Sequence, residues 1–568
     1  MANCHDCYAC VRACPVKAIR VNVGHAEVVE DLCILDGACV AACPQGAKRV
    51  EQHGEFVEAC LEQERVAFSL APSLAAAIDC QPEVVAAALR RLGACAVAET
   101  SEVTHWVSRR HWEQAQRAGA VISSCCPSVV NLITHYYPGV LPYLSDAVSP
   151  MIAHARTARK VLGADVKVVF VGPCIAKKKE MKEKGIAGSV DAVLTFQELK
   201  GLLQRHLPHW EELEPESFDA FIAPVDEKEA AAQRRFPLPG GMVPLLTDEP
   251  PEEDILVITG IDKCMELLAD IPRHGMPARV VELMACDAGC VGGPGMDSEL
   301  PVFRRVQRVS AYAKTAMSRR HLGAVKYGDV DLRRVYEDQR PHLPQPSEEE
   351  IRAILAAIGK REPEDELNCG ACGYDSCRAK AVAVYQGMAE QEMCLPYMRR
   401  KAESIADLTI AATPTGVIVV NRDLHVLALN PAAERILGRQ ANEHVGRPLW
   451  RLGDPSRVEK AFAEQASSST IVCLEKQDRV IREDLVYDRK NDLVIMMLTD
   501  ITDEVRRQQE FASLKEASLE RAQQVIEKQM RVAQEIAGLL GETTAETKAI
   551  LTQLMQLFQT GERGGNRP

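Results

Sequence analysis

Cysteine is the feature that most constrains this 568-residue chain, because sixteen of its 21 cysteines fall into closely spaced clusters. No apolar run reaches the roughly 18 residues that span a bilayer, and the N-terminus lacks the features of a signal peptide, so we expect a cytoplasmic protein. A reducing cytosol disfavours disulfides, so the clustered cysteines are expected to bind metal or carry redox chemistry. We expect the other five to be small buried side chains: Cys60, Cys80, Cys95, Cys264 and Cys473.

The length and net charge of the chain limit the number of domains and the kinds of partner. A chain of this length predicts three to five domains, and the 46% hydrophobic content is sufficient for well-filled cores. The net charge of −13 argues against a nucleic-acid partner and against an anionic membrane surface.

The segment 1–55 carries two runs with the spacing C-x2-C-x2-C-x3-C-P. The runs are Cys4, Cys7, Cys10 and Cys14, and then Cys33, Asp36, Cys39 and Cys43. This is the bacterial two-cluster ferredoxin pattern, in which the fourth cysteine of each run reaches across to the other cluster. It predicts two [4Fe–4S] sites, the first held by Cys4, Cys7, Cys10 and Cys43 and the second by Cys14, Cys33 and Cys39. Zinc is disfavoured because interleaved runs do not have zinc-finger spacing.

Asp36 stands where the second run requires a cysteine. A carboxylate is a harder and weaker ligand for iron than a thiolate. We therefore expect the second cluster to be labile at this corner or to hold only three irons, as a [3Fe–4S] cluster.

Between residues 56 and 340, β-like apolar runs alternate with helical stretches, which predicts an α/β domain with largely parallel sheets. The runs are Val66–Leu70, Ala120–Ile122, Val166–Val171, Ala192–Leu194, Ile255–Ile258 and Arg279–Leu283. Cysteine-bearing loops accompany the ends of three of them: Ser123–Pro127, Gly172–Glu180 and Glu282–Gly293. Because parallel strands end at one edge of a sheet, these distant cysteines are expected to converge.

The three loops resemble the signature loops of [FeFe]-hydrogenases, in forms close to TSCCP, MPCxxKxxE and ExMxCxxGCxxGG. The resemblance implies an H-cluster, which is a [4Fe–4S] cubane joined to a two-iron subsite with CO, cyanide and an amine-bearing dithiolate. The cubane ligands that it implies are Cys126, Cys174, Cys286 and Cys290, with Cys290 also bridging to the two-iron subsite. Soft thiolates suit low-valent iron, and Gly289, Gly292 and Gly293 allow close backbone approach.

The resemblance also implies roles for residues around the two-iron subsite. Lys177 would hydrogen-bond one cyanide, Pro72–Ser73 resembles the segment that contacts the other, and Met284 matches the methionine near the two irons. Cys125 matches the thiol that passes protons between the bridging amine and the protein interior. Ser145 resembles the next hydroxyl of that relay.

Two departures from the family pattern bear on turnover. Gly172 replaces the methionine usual two residues before the second-loop cysteine, and Glu102–Arg117 is shorter than usual and lacks a clean match to the relay glutamates. We therefore expect a hydrogen-reactive site that turns over slowly. The alternative is a hydrogenase-like fold without the two-iron subsite, as in eukaryotic iron–sulfur assembly relatives; the full ligand set and Lys177 argue against it.

A Pro-rich acidic linker, residues 341–362, is expected to lead into a short helix. The next segment, 363–400, contains four cysteines with the spacing C-x2-C-x4-C-x16-C: Cys369, Cys372, Cys377 and Cys394. The spacing resembles a small four-cysteine iron–sulfur module of anaerobic redox enzymes, which implies one further [4Fe–4S] cluster. Four thiolates would also satisfy zinc, and that alternative stays open.

Residues 401–504 resemble a PAS domain, an α+β fold. Thr415–Asp423 predicts a strand and turn, Val426–Leu429 the return strand, and Asn430 the N-cap of a helix with Pro431 in its first turn. Asp500-x-Thr502 matches the junction that leads into a signalling helix. Whether the domain binds a ligand or only dimerises stays open.

Residues 505–560 are polar and helical in pattern, and residues 561–568 are expected to be disordered. Six positions, five of them apolar, recur at alternating three- and four-residue spacing and would form the seam of a coiled coil: Ala522, Val525, Gln529, Val532, Ile536 and Leu539. This spacing predicts a coiled coil of roughly three heptads and a homodimer, with Gln529 as a polar interruption that could fix register. The alternative is an amphipathic helix docked on its own protein.

Two functional classes remain. The first is a sensory hydrogenase that reacts reversibly with H2 and relays its redox state through the clusters and the PAS domain to a signalling partner, a phosphatase or a kinase. The second is a catalytic hydrogenase that uses an electron carrier such as ferredoxin and has an accessory PAS domain. Gly172 and the PAS–helix ending favour the first.

Overall fold

The computed structural model describes residues 4–22, 24–247, 252–315, 318–474, 477–540 and 544–560. The chain divides into two compact units, Met1–Met398 and Arg399–Pro568. Within the described ranges, no helix combines the length and the apolar character that crossing a membrane requires. The predicted disordered tail, residues 561–568, lies outside the described residues.

The N-terminal cysteine segment, residues 4–47, consists of turns around two short helices and one hairpin. The helices are α1 Ala9–Ala13 and α2 Ala38–Ala41, and the antiparallel strands are β1 Ile19–Asn22 and β2 His25–Val28. Gly37 precedes α2 with φ +81°. This left-handed conformation suits glycine and turns the chain sharply between Cys33 and Cys39.

Nine strands form the core of the α/β region. They are β3 Val66–Leu70, β4 Ala96–Glu99, β5 Val121–Ile122, β6 Lys167–Val171, β7 Ala192–Leu194, β8 Phe218–Ile222, β9 Ile255–Thr259, β10 Val280–Met284 and β11 Arg319–Val325. Six make one sheet in the order β11-β8-β4-β3-β6-β7, and three make a second in the order β5-β10-β9. All pairings in both sheets are parallel.

Helices connect these strands and complete the cores. They are α3 Gly54–Gln63, α4 Pro82–Arg91, α5 Thr104–Ala118, α6 Pro127–Tyr136, α7 Pro150–Leu162, α8 Lys177–Glu180, α9 Phe196–His206, α10 Glu227–Arg234, α11 Ile261–His274 and α12 Val302–Tyr312. Every residue of β3 is buried, as expected for a parallel strand that is covered on both faces. Its core includes apolar residues of α4, α7 and α9.

The six predicted strands are confirmed, with ends that differ by at most one residue. Three further strands, β4, β8 and β11, were not predicted. β4 is Ala96–Glu99, whose alanines carry little β propensity. β11 has mostly exposed residues, because it lies at the edge of the six-stranded sheet.

The four-cysteine module, residues 363–400, packs against a helix that lies within the predicted linker, residues 341–362. The helices are α13 Glu348–Ala357, α14 Cys377–Tyr385 and α15 Leu395–Ala412. The Ser347 side chain accepts a hydrogen bond from Glu350 N, and the Glu350 side chain accepts one from Ser347 N, which completes a capping box. Leu355 and Ile358 share a small core with Ala381 and Cys394. The predicted short helix is therefore α13, and it is part of the module's packing.

The second unit contains a five-stranded antiparallel sheet in the order β13-β12-β16-β15-β14. Its strands are β12 Gly416–Asn421, β13 Val426–Leu429, β14 Ser468–Leu474, β15 Arg479–Asp488 and β16 Leu493–Asp500. Its helices are α16 Pro431–Leu437, α17 Ala441–His444 and α18 Ser456–Glu464. Asn430 Oδ1 accepts from Ala433 N at 2.9 Å and from Val417 N at 2.7 Å, so the predicted N-cap also links the helix to the sheet.

The predicted helical ending is confirmed as α19 Thr502–Leu540 and α20 Thr544–Thr560. At the junction, Thr502 Oγ1 donates to Asp500 Oδ1 and accepts from Val480 N at 2.9 Å, which fixes the start of α19 to β15. Three seam residues, Val525, Val532 and Ile536, are exposed in the single chain. The coiled coil stays a prediction.

Candidate functional site

The three cysteine-bearing loops meet at the carboxyl ends of strands from both sheets. The first loop follows β5, the second follows β6, and the third follows β10, the neighbour of β5. Cys174, Cys286 and Cys290 each interact electrostatically with Cys126. The structure therefore brings the four predicted cubane ligands together.

These thiols lie where an added cation would be strongly favoured. Burial, and then repulsion by the Cys126 thiolate, raises the pKa of Cys174 to about 11. The pKa of Cys286 is raised by burial and then by repulsion from neighbouring thiolates. Iron binding requires thiolates, and a bound cluster would offset both penalties. The donor set fits an iron–sulfur cluster.

The predicted close approach at the third-loop glycines is made to other backbone segments. A Cβ on Gly292 would lie 2.2 Å from Asp287 O, and one on Gly293 would lie 2.6 Å from Pro173 O. Gly289, with φ +78°, would meet Pro237 O at 2.6 Å. At Gly292 the third loop folds back on itself, and at Gly293 it approaches the second loop next to Cys174.

Lys177 is buried with a fixed partner. Its Nζ donates to Glu180 Oε2 at 2.8 Å and lies 3.5 Å from Cys125 O. Burial disfavours its charged form, but Glu180 and the nearby thiols more than offset this, so the pKa of Lys177 is raised. Lys177 therefore places its amino group beside the first and second loops.

Ser73 is fully buried, and its Oγ has no hydrogen-bond partner among the described residues. The segment before it is fixed by Ala71 N, which donates to Val171 O at 2.9 Å at the end of β6. Leaving a buried hydroxyl unbonded costs free energy, so this donor fits a bound acceptor such as cyanide. Pro72 and Met284 are also buried. The residues present fit an H-cluster.

Cys125 contacts a residue that the sequence interpretation missed. Its Sγ lies 3.9 Å from His111 Nε2, which also accepts from Ser124 N at 3.1 Å. His111 Nδ1 donates to Val107 O at 2.6 Å, which fixes the neutral tautomer. Burial lowers the pKa of His111 to about 4, and burial also raises the pKa of Cys125. Only the packing of α5 brings His111 to the loop.

Ser145, the predicted next hydroxyl of the relay, is fully buried and bonds elsewhere. Its Oγ donates to Gln114 Oε1 at 3.0 Å and accepts from Ala147 N at 3.2 Å. The structure thus places Ser145 beside α5, in contact with Gln114, rather than showing a contact with Cys125. His111, which also lies on α5, is the residue that contacts Cys125 instead.

The acidic residues of Glu102–Arg117 are committed to other partners. Glu102 Oε1 lies 2.8 Å from His154 Nε2, whose Nδ1 lies 2.7 Å from Ser69 Oγ. Glu113 Oε2 accepts from Tyr327 OH at 2.9 Å. This agrees with the absence of a clean relay match in the sequence.

Gly172 has no space for a side chain. A Cβ there would lie 2.7 Å from Phe170 Cε1 and 3.4 Å from Ala71 Cβ. The Phe170 ring thus occupies the space beside the second loop. The lack of a side chain at Gly172 therefore leaves room for the phenyl ring of Phe170, two residues earlier.

In the N-terminal cysteine segment, the predicted second site is brought together. Cys14, Cys33 and Cys39 interact electrostatically with Asp36. Burial, followed by repulsion from Cys33 and Asp36, raises the pKa of Cys39 to about 12, and burial raises the pKa of Asp36.

For the first site, Cys4 acts electrostatically on Cys10. The ligand atoms of Cys4, Asp6 and His25 lie within 4.8 Å of one another. Cys7 is exposed, and a hydrogen bond from Ala47 N to Cys43 Sγ lowers the pKa of Cys43.

The four-cysteine module presents one small cavity. All four predicted ligands line it: Cys369, Cys372, Cys377 and Cys394. Lys380 lines the same cavity, is buried, and donates from Nζ to Gln391 O at 2.9 Å. Burial lowers the pKa of Lys380, and the charges of Cys394 and Cys372 oppose that shift.

The expectation for the five remaining cysteines is wrong for one of them. Cys60 and Cys264 are buried, and Cys80 and Cys95 are partly buried. Cys473 is exposed, because it lies on β14 at the edge of the sheet, where the strand is mostly solvent-facing.

Comparisons with known families identify four domains. Residues 64–294 match the C-terminal domain of the iron-only hydrogenase large subunit, and residues 3–47 match a 4Fe-4S dicluster domain. Residues 365–396 match an Fe-S cluster family, and residues 410–506 match the PAS fold. The chain therefore contains a hydrogenase large-subunit domain, iron–sulfur domains and a PAS domain. These matches agree with the cofactor classes expected from the sequence.

Curated relatives cover part of the chain. The NADP-reducing hydrogenase subunit HndD of Solidesulfovibrio fructosivorans is 29% identical over 375 residues, which is 52% of this chain and 63% of the relative. The periplasmic [Fe] hydrogenase large subunit of Nitratidesulfovibrio vulgaris is 24% identical over 287 residues, 41% of this chain and 67% of the relative. The [FeFe]-hydrogenase HydA1 of Chlamydomonas reinhardtii, a solved structure, is 18% identical with a TM-score of 0.39, over 47% of this chain and 91% of that one.

Proposed function

We propose that this chain is a cytoplasmic sensory [FeFe]-hydrogenase. It reacts reversibly with H2 (H2 = 2 H+ + 2 e−) at an H-cluster and relays the redox state through iron–sulfur clusters and the PAS domain to a signalling partner. One observation carries the proposal: the loops of Cys126, Cys174, Cys286 and Cys290 converge beside the buried cation of Lys177. The unbonded hydroxyl of Ser73 supports it.

When bound, the H-cluster supplies the chemistry that splits and forms H2. The surrounding residues hold it and exclude water. Cys126, Cys174, Cys286 and Cys290 would hold its cubane, Lys177 and Ser73 would donate hydrogen bonds to its cyanides, and Met284 would pack against its two-iron part. These donors are fixed by their loops before binding, which lowers the cost of ordering them.

The Cys125 thiol moves protons between the site and the interior. His111 holds the thiol's loop by accepting from Ser124 N and presents Nε2 toward Cys125 Sγ. Ser145 remains the candidate for the next group, in contact with Gln114. Because Glu102 and Glu113 are engaged elsewhere, proton transfer is expected to be slow, which suits a sensor.

Signal output requires the second unit. A change of cluster charge in the four-cysteine module would act on α15, which begins directly after Cys394 and leads to β12. The PAS domain would pass the change through Asp500 and Thr502 into α19. We propose that α19 forms a homodimeric coiled coil and that the receiver is a phosphatase or a kinase.

A catalytic role is the second candidate. The relative HndD is named as a subunit of an NADP-reducing hydrogenase, which favours an enzyme that passes its electrons to a carrier; ferredoxin is the carrier expected from the sequence. Gly172 with the Phe170 ring, and the engaged carboxylates of Glu102 and Glu113, favour the sensory role instead.

Isotope exchange tests the hydrogen chemistry. Full-length protein matured with a synthetic two-iron complex should form HD from D2 in water, and the same protein without that complex should not. A Lys177→Met variant should lose the activity, whereas Lys182→Met, at an exposed lysine of the same region, should keep it. Absence of HD from fully matured protein would contradict the proposal.

A further inference from the structure

The four-cysteine module and the N-terminal cysteine segment share one buried core, although more than 300 residues separate them in sequence. The shared core includes Val11 and Ile19 from the segment and Tyr374, Met388 and Met393 from the module. Val21 N donates to Met388 O at 3.0 Å, which extends the hairpin edge onto the module. The two cysteine-bearing parts are thus packed against each other.

The contact is tightest at the loop between Cys372 and Cys377. Gly373 has φ +95°, and a Cβ there would lie 2.8 Å from Val11 Cγ1 and 3.1 Å from Arg12 N. Arg12 spans the contact, because its Nη1 donates to Ala371 O at 3.2 Å and its Nη2 donates to Cys7 O at 2.9 Å. The backbone of the module therefore rests directly on the helix between Cys10 and Cys14.

Tyr374 lies between cysteines of the two parts. It is 5% exposed, and its hydroxyl has no hydrogen-bond partner among the described residues. Cys14 of the segment lies in the same buried core as Tyr374, and Cys372 of the module packs against that core. Cys14 belongs to the second site, with Cys33, Cys39 and Asp36.

The other side of this second site faces the hydrogenase loops. A Cβ on Gly37 would lie 2.6 Å from Pro294 Cβ and 3.2 Å from Ile175 Cδ1. Ile175 directly follows Cys174, and Asp36 acts electrostatically on Cys286. The second site thus has cubane ligands of the hydrogenase domain on one side and Tyr374 on the other.

We propose that the second site, formed by Cys14, Cys33, Cys39 and Asp36, is a branch point that exchanges single electrons with the four-cysteine module across Tyr374. One electron leaves the cluster at one site, which is oxidised, and enters the cluster at the other, which is reduced; no bond breaks and no co-reactant is needed. The inference rests on the proposed function for the source of the electrons.

Such a branch explains how redox state reaches the start of α15. An external carrier could draw electrons from the exposed Cys7 side, while the module receives them through protein interior. The packing of Val11, Gly373 and Tyr374 supplies a path through the protein interior.

Electron paramagnetic resonance tests the contact without hydrogen chemistry. Full-length protein without the two-iron subsite would be reduced with a low-potential europium(II) chelate. We expect a spin–spin splitting that adds to the coupling among the N-terminal and hydrogenase-domain cubanes and that is lost in Cys372→Ser, which removes the module cluster. A wild-type spectrum equal to the Cys372→Ser spectrum plus an isolated module signal would overturn the proposal, as would a module that cannot be reduced.

A matched pair of variants localises the coupling. Gly373→Ala should weaken the splitting, because its Cβ would force Val11 away. Gly370→Ala also replaces a glycine with positive φ (+67°), but its added Cβ would have no described atom within 4 Å. This variant should keep the splitting. Equal splitting in both variants, at equal iron content, would contradict the Tyr374 path. Since the reductant supplies the electrons, failure here is distinguishable from a failure to react with H2.

Discussion

Cys125 and Cys126 are neighbours in the chain but have different surroundings. Cys126 interacts with three other loop cysteines, whereas the Cys125 thiol faces His111. Sequence resemblance could assign the pair, because the motif order is fixed. It could not find His111, since a lone histidine 14 residues away carries no motif.

Replacing Cys125 with alanine should separate binding from turnover. We expect Cys125→Ala to keep the CO and cyanide infrared bands and to lose roughly 10²–10⁴-fold in hydrogen turnover, the usual contribution of a positioned proton-transfer group. Ser128→Ala, on the α6 side of the same loop, is the control and should change neither. Loss of the bands in Cys125→Ala would show that Cys126 is not the ligand.

Asp36 makes the second site chemically distinct from the first. Because a carboxylate holds iron less firmly than a thiolate, mild oxidation should convert the wild-type cluster to a three-iron form, visible by electron paramagnetic resonance. Asp36→Cys should abolish that conversion. The same oxidised spectrum in both proteins would refute a weak fourth corner.

At the scale of elements, the strands that carry chemistry were predictable and the strands that only complete the sheets were less so. β5, β6 and β10 are apolar runs that end in cysteine-bearing loops. β4 and β11 lack such a pattern, because one is rich in alanine and the other is a mostly exposed edge strand. The contact between the module and the N-terminal segment was also unpredictable, since no local pattern records which distant surfaces pack.

The helix α19 offers a test of the dimer. Val525→Glu with Val532→Glu would place charges in the seam, and burying unpaired charges is costly, so the double variant should elute with the mass of one chain. Gln523→Glu with Gln524→Glu adds the same charge outside the seam and should stay dimeric. Light scattering after gel filtration measures the mass; an unchanged dimer in the valine variant would favour a helix that does not pair.

For the whole molecule, the domain order follows from the sequence, while the direction of signalling does not. Each domain has its own motif or pattern, and the family matches cover the same regions. The receiver leaves no recognisable pattern in this chain, because recognition would depend on the surface of the second unit.

Truncation after Ala412 keeps α15 and removes the PAS sheet and both C-terminal helices. We expect the truncated protein to retain its hydrogen chemistry nearly unchanged and to lose any H2-dependent change in the activity of a partner phosphatase or kinase. D2 exchange and a partner-activity assay under H2 and argon measure the two effects. If the truncated chain keeps its iron but loses hydrogen chemistry, the second unit is structural and the sensory role fails.

Infrared spectroscopy of matured full-length protein, first under argon and then under H2, is the most direct measurement of the central claim. We predict CO and cyanide bands from a two-iron subsite held at the site of Cys126, Cys174, Cys286 and Cys290. Those bands should shift under H2 as the site changes redox state. Protein that contains its full complement of cubane iron yet shows no such bands after maturation, or bands that do not respond to H2, would contradict a hydrogen-sensing H-cluster in this chain.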